Sequence, residues 1–270
     1  MLKSLSALKA SLKTSQGPAV AFAYRAATGA FDWVIINIVN PVRTLRMRLM
    51  IRKYERLVER EYERAIDLAI RYIKAALVDG AIAEFGCQGR TAAAECRHLA
   101  AFQMRRDLHL FDSFQGAPSF TDDDRLAPEV VAKVWSDERV PASLSARDLR
   151  HKLKGIYDGG QVYIYEGYFS ETLGKIPAST RFAMIVMDSV TYSSTFESLD
   201  WLFSNRLVSE GAVFLMSSWN VSRGSPTQST RRAWNEAVEK HGVQYSDEGR
   251  YNWGGARFIV HGYGNDRHSS

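Results

Sequence analysis

Between residues 42 and 78, Ile51, Tyr54, Leu57, Val58, Tyr62, Ile66, Ile70, Ile73 and Leu77 recur at spacings of three and four among Arg and Glu. That period puts them on one face of a long helix, and Asp79-Gly80 supplies its stop. Beyond Gly80 the pattern changes to short, continuous apolar runs, and strands are expected at residues 81–85, 108–111, 162–165, 182–187, 212–216 and 256–261. Runs that do not alternate indicate strands buried on both faces. Helical stretches are expected between them at 91–103, 128–136, 145–156, 194–207 and 227–241, and the longest loop at 112–127. Strands alternating with helices of this length predict an α/β domain with a parallel sheet covered on both sides.

The first fifty residues read differently. Leu2, Leu5, Leu8 and Leu12 alternate with Lys3, Lys9 and Lys13, and a mostly apolar stretch follows to Trp33-Val34-Ile35-Ile36. This predicts a basic amphipathic helical extension over 1–50, suited to a membrane surface, a partner subunit or its own domain. The main domain is then 51–265, with a disordered tail at 266–270. Residues 19–41 do not make a membrane span, because Arg25 and Asp32 interrupt them and a span needs about 20 mostly apolar residues.

Charge sharpens this division. The net charge is +5, yet residues 1–60 hold eleven Lys and Arg against Asp32, Glu55 and Glu59, which leaves the other 210 residues mildly acidic. The main domain thus lacks a nucleic-acid footprint. Two cysteines, Cys87 and Cys96, nine positions apart, read as reduced thiols of a cytoplasmic protein. At 270 residues and 46% hydrophobic, the chain can bury a large core.

In an open parallel sheet, ligands bind outside the carboxyl ends of the strands. After the first strand comes Glu84-Phe85-Gly86-Cys87-Gln88-Gly89-Arg90-Thr91, opening a helix; glycine admits close backbone approach, and the helix start offers free N–H groups. The G-x-G-x-x-G fingerprint of dinucleotide binding is missing. The second strand ends Leu110-Phe111-Asp112-Ser113-Phe114, and an acid there is placed to accept ribose hydroxyls. Together these favour a nucleoside-bearing ligand.

Four blocks then occur in order: Ala83-Glu84-Phe85-Gly86; Leu108-His109-Leu110-Phe111-Asp112-Ser113-Phe114-Gln115-Gly116-Ala117-Pro118; Glu166-Gly167-Tyr168-Phe169-Ser170-Glu171-Thr172-Leu173; and Met187-Asp188 with Tyr192-Ser193-Ser194-Thr195. Over about residues 50–262 the chain resembles the macrocin O-methyltransferase family, class I enzymes that use S-adenosyl-L-methionine. The resemblance implies a doubly wound, Rossmann-like, mostly parallel seven-stranded sheet ending in an antiparallel hairpin, here 243–245 with 256–261. It also implies that Glu84, Gly86 and Gly89 line the methionine end of the cofactor, that Phe85, Cys87 and Thr91 belong to the same cofactor site, and that Asp112 holds the ribose with Ser113 and Phe114 beside it.

The chain departs from the family where carboxylates hold a divalent metal. The Asp-x-Asp position reads Asp188-Ser189-Val190, and the Asp-Asp position after the fifth strand reads Ser217-Ser218. Magnesium wants octahedral oxygen ligation anchored by carboxylates, so a metal is not expected. Asp188 is the candidate base, and Tyr192 is a second catalytic candidate that would also line the acceptor pocket. Tyr168, Phe169, Ser217, Ser218, Trp219 and Asn220 are candidates for the acceptor pocket, their aromatics suited to the apolar face of a sugar. The six histidines lack metal-ligand spacing, no G-x-S-x-G elbow marks a hydrolase, and Asp122-Asp123-Asp124 reads as a solvated loop.

The function expected is O-methylation of a sugar hydroxyl on a glycosylated natural product or polysaccharide. The alternative is a cofactor-binding homologue that has lost methyl transfer and serves as a partner protein. A third reading keeps the cofactor but changes the nucleophile. A homo-oligomer is expected, with peripheral membrane contact through the extension as a further option.

Overall fold

In the computed structural model the described residues are 40–87, 89, 91–116, 121–124 and 144–264. Residues 1–39 of the extension expected over 1–50, the helix at 128–136 and the tail at 266–270 lie outside them. The chain divides into two compact units, residues 1–59 and 60–270.

Helix α1, Asn40–Ala75, crosses that division. Within the second unit its Ala65, Ile66, Ala69, Ile70 and Ile73 are buried, as the spacing of three and four predicts. Burying each isoleucine contributes about 1.5–3 kcal/mol relative to exposure. The stripe fails at Leu57, which is 48% exposed, and at its end: Leu77, at φ 56°, turns outward and is 84% exposed, while Val78 goes in. The chain then enters the sheet through Gly80, whose φ of +133° and backbone neighbours leave no room for a side chain.

Seven strands follow: β1 Ala81–Phe85, β2 Leu108–Asp112, β3 Val162–Glu166, β4 Phe182–Met187, β5 Val208–Met216, β6 Val243–Arg250 and β7 Ala256–Tyr263. Their order is β3-β2-β1-β4-β5-β7-β6. The first five run parallel, and β7 joins β5 and β6 antiparallel. β5 starts four residues earlier than the apolar run suggests, and β6 runs five residues further, because half-exposed strand residues alternate polar and apolar and break the run.

The other helices are α2 Thr91–Ala101, α3 Ala146–Leu153, α4 Phe169–Thr172, α5 Tyr192–Ser204 and α6 Ser229–His241. Ser145 caps α3, and Thr191 caps α5 by accepting from the N–H of Ser194. β4 serves both faces of the sheet. Ile185 and Met187 pack with Leu199, Phe203 and Trp234 of α5 and α6, while Met184 and Val186 pack with Ile66, Leu99 and Leu149 of α1, α2 and α3. From β1 the chain works outward through β2 and β3, then returns to β4 on the other side. The strand order therefore reverses between β1 and β4, and their carboxyl ends border the crevice where such sheets bind ligands.

Candidate functional site

The turn after β1 and the residue after β4 meet at this switch. The Asp188 N–H donates to the Phe85 carbonyl at 2.8 Å, and the Gly86 N–H donates to the Phe111 carbonyl at 2.9 Å. Gly86 has φ +87°, and a β carbon there would sit 3.0 Å from the Asp188 carbonyl oxygen. Glycine is thus required both by conformation and by the close approach.

Asp112 closes the other side. Its Oδ1 accepts the Phe114 N–H at 2.7 Å. Burial raises its pKa, opposed by hydrogen bonds from the backbone of Phe114 and of Cys87. The Cys87 contact ties the β2 loop to the β1 turn, so the two loops converge. Ser113 folds back locally, its hydroxyl donating to Gly116 and accepting from the Gln115 N–H, and Phe114 packs partly buried against the α2 face.

Beneath the turn lies an acidic layer. Glu84 is fully buried and accepts hydrogen bonds from the Thr91 hydroxyl and, at 3.5 Å, from the Cys87 thiol. Burial pushes its pKa to about 8, helped by the charges of Asp188 and Asp112. Glu95 on α2 is equally buried, and neither of its carboxyl oxygens has a hydrogen-bond partner. Burial, then Glu84, raises its pKa as well. Sequence reasoning passed over Glu95, because one Glu among alanines in a helix looks like surface. Both cysteines are free and buried, and burial lifts Cys96 to about 12.

A second cluster surrounds Asp188. The Ser217 N–H donates to the Met187 carbonyl at 3.0 Å, setting Ser217 at the end of β5 beside the residue that follows β4. The hydroxyls of Ser217 and Tyr62 are hydrogen-bonded. Tyr251, from the β6–β7 turn, meets Tyr62 edge to face, with centroids 5.6 Å apart and planes at 87°. Burial and then the Asp188 charge raise both phenols; the Ser217 and Tyr62 hydroxyls pull Tyr251 the other way without making it a hydrogen bond of good geometry. Tyr62 was legible only as one more apolar position of the α1 stripe.

Other expected site residues are placed elsewhere. Tyr192 does not turn its hydroxyl toward Asp188: it donates to Glu236 of α6 at 2.5 Å, and the Arg232 guanidinium lies 3.9 Å from its ring centre. Trp219 is core, buried against Phe258 at 4.7 Å, with Arg231 and Arg250 over its ring at 5.2 and 5.5 Å. Phe169 stands edge-on to Phe85, which stacks in turn on Phe111. Tyr168 is 40% exposed at the start of α4. Ser218 is buried, and its carbonyl accepts the Val221 N–H. Asn220 binds Arg231 and the Trp253 carbonyl.

The acidic run is not wholly solvated. Asp124 is only 5% exposed and accepts the N–H and hydroxyl of Ser193 at 2.8 Å each, and those of Thr121 at 2.9 Å. Ser193 is in the first turn of α5, where amide groups are free and the helix dipole favours a carboxylate. Asp123 meets Arg232 at 3.4 Å.

The converging loops suit an adenosyl cofactor: a glycine turn leads into the start of α2, with the Asp112 carboxylate alongside. Among the described residues, the set beside Asp188 does not suit a divalent metal. The neighbour of Asp188 at the strand ends is Ser217, whose hydroxyl pairs with that of Tyr62, and among the described residues no group of three or more His, Cys, Asp or Glu could hold an ion. Among the described residues, too, no helix is long and apolar enough to cross a membrane.

The family model described as Macrocin-O-methyltransferase (TylF) matches residues 56–246. The chain is similar to the mycinamicin III 3''-O-methyltransferase of Micromonospora griseorubida, at 29% identity over 153 residues, and spans 56% of that relative's length. Among solved structures it is similar to the O-methyltransferase NovP, with a TM-score of 0.59 at 21% identity, covering 75% of this chain and 80% of that one. The second likeness shows a common fold, and the family match spans well over half of the chain. The chain belongs to the macrocin O-methyltransferase family.

Proposed function

We propose that the protein is an S-adenosylmethionine-dependent O-methyltransferase acting on a sugar hydroxyl of a glycosylated small molecule or polysaccharide, without a metal. The observation that carries this is the convergence of Gly86 and Asp112, bridged by Cys87, at the switch in strand order. When bound, the cofactor supplies an electrophilic methyl group. Asp112 would accept the ribose hydroxyls, and the free N–H groups at the start of α2 would face the methionine carboxylate. Asp188, across the crevice, would take the proton of the acceptor hydroxyl as its oxygen attacks. Aligning that oxygen supplies much of the rate, since orientation alone is worth about 7–11 kcal/mol in well-placed pairs. The exposed rim at Tyr168 offers a ring face to a sugar. The relative's methylation of a mycinamicin supports the acceptor class.

The test is incubation of the purified chain with S-adenosylmethionine and a panel of glycosides differing in one free hydroxyl, read by product mass. Gain of a single methylene unit on one member is expected; no product from any member, with the cofactor shown to bind, favours the partner-protein alternative.

We also infer that the basic N-terminal unit docks on an anionic membrane surface or on a second copy in an oligomer. Val42, Leu45, Met47 and Met50 are exposed on α1, and five Lys or Arg between 43 and 53 accompany them, the combination that suits an anionic interface. A chain shortened by residues 1–48 that keeps the parent's oligomeric state and vesicle binding would contradict this.

A further inference from the structure

The Ser217–Tyr62 hydroxyl pair is assembled from distant parts of the sequence. Tyr62 comes from α1 and Tyr251 from the β6–β7 turn, and their edge-to-face rings close on Ser217 at the end of β5. Ser217 is itself pinned through its N–H to Met187, the residue before Asp188. The Asp188 charge acts on both phenols. Asp188 and Ser217 therefore follow the paired ends of β4 and β5 side by side, with the Tyr62 and Tyr251 rings closing on Ser217. A divalent cation would need several oxygen ligands at about 2.0–2.6 Å, anchored by carboxylate charge. A phenol held protonated by burial and by a neighbouring carboxylate is a poor ligand for it, and its dipole can instead hydrogen-bond.

We propose that the Tyr62–Ser217–Tyr251 cluster occupies the place of a divalent metal beside Asp188, leaving that carboxylate to receive the acceptor proton without an ion. Tyr62 is then one of the groups that fill a metal-free site, supplied by the helix that precedes the sheet. This rests on the methyl-transfer reading of the crevice. It goes further by naming the groups that stand in for the ion. It also predicts that the site can be turned back: replacing Ser217 with a carboxylate and removing the Tyr62 hydroxyl should recreate a two-carboxylate site.

The experiment is a Mn²⁺ titration of the full chain, free Mn²⁺ being read by electron paramagnetic resonance, with and without S-adenosylhomocysteine. The parent is expected to show no site that depends on Asp188. The Ser217→Asp/Tyr62→Phe double variant is expected to gain one Mn²⁺ per chain, at least about tenfold tighter than any binding to the parent, the scale on which a ligand shell alters metal affinity. A parent that binds one Mn²⁺ and loses it on Asp188→Asn overturns the proposal. So does a folded double variant that binds no better than the parent. If the double variant does not fold, Ser217→Asp alone is judged by the same criterion. Thermal stabilisation by S-adenosylhomocysteine is recorded on the same samples. Its absence from the parent counts against the cofactor reading, while the Mn²⁺ comparison made without it still decides the metal question.

Discussion

Gly86 lies against the backbone of Asp188 across the strand switch, so close that a β carbon would sit 3.0 Å from the Asp188 carbonyl oxygen. With φ at +87°, the contact fixes the glycine turn and the candidate base relative to each other. Gly86→Ala should destabilise the fold by about 1–3 kcal/mol, lowering Tm by several degrees, and should abolish stabilisation by S-adenosylhomocysteine. Thermal melts with and without that ligand check both; an unchanged Tm would show that the turn is not constrained by Asp188.

The buried acids Glu84 and Glu95 make stability depend on pH. A carboxyl whose folded pKa is raised binds its proton more tightly in the folded state. Stability is then fullest below the ordinary value of 4.5, falls as pH rises, and levels off above the folded value, about 8 for Glu84. Glu95→Gln keeps the neutral form at every pH. It should melt close to the parent at pH 5 and above it at pH 8, by about 3 °C or more, corresponding to about 1 kcal/mol. Equal melting at pH 8 would mean that Glu95 is not held neutral by burial.

Asp124 behaves oppositely. Burial alone would raise its pKa, but hydrogen bonds from Ser193 and Thr121 outweigh burial and hold the carboxyl below its usual range. Its contribution is present above that range and fades as pH falls through the lowered value. Asp124→Ala should cost about 1–3 kcal/mol at pH 7 and less near pH 3, measured by chemical denaturation at both. A cost that does not change between them would remove the charge from the explanation.

Much of this fold was legible from periodicity and from breaks in it. Continuous apolar runs placed the strands of the parallel core, and Asp79-Gly80 marked a turn whose backbone demands are local. β6 and the start of β5 were less visible, since their exposed residues dilute the apolar signal. The loops after β1 and β2, expected to hold the cofactor, could be singled out because each is a short contiguous motif. Tyr62, Glu95 and Tyr251 were not, since their roles come from tertiary neighbours. For Tyr192 and Trp219 sequence reasoning found the neighbourhood but not the direction. Partners on α6 and β7, Glu236 and Phe258, turn both rings into packing.

Trp219 can be tested on that point. Its indole fills core beside Phe258 and under two arginines, so Trp219→Ala should cost about 3–5 kcal/mol. A denaturation curve that scarcely moves would return the ring to the acceptor pocket.

The central claim is that the β1 turn and Asp112 hold one adenosyl ligand between them. Calorimetric titration of the full chain with S-adenosylhomocysteine tests it most directly. One site per chain is expected, weakened about 10-fold or more by Asp112→Ala, since hydrogen bonds to a charged group contribute about 1.5–3 kcal/mol. Absence of binding heat from the folded parent, or affinity untouched by loss of the Asp112 carboxylate, would contradict it.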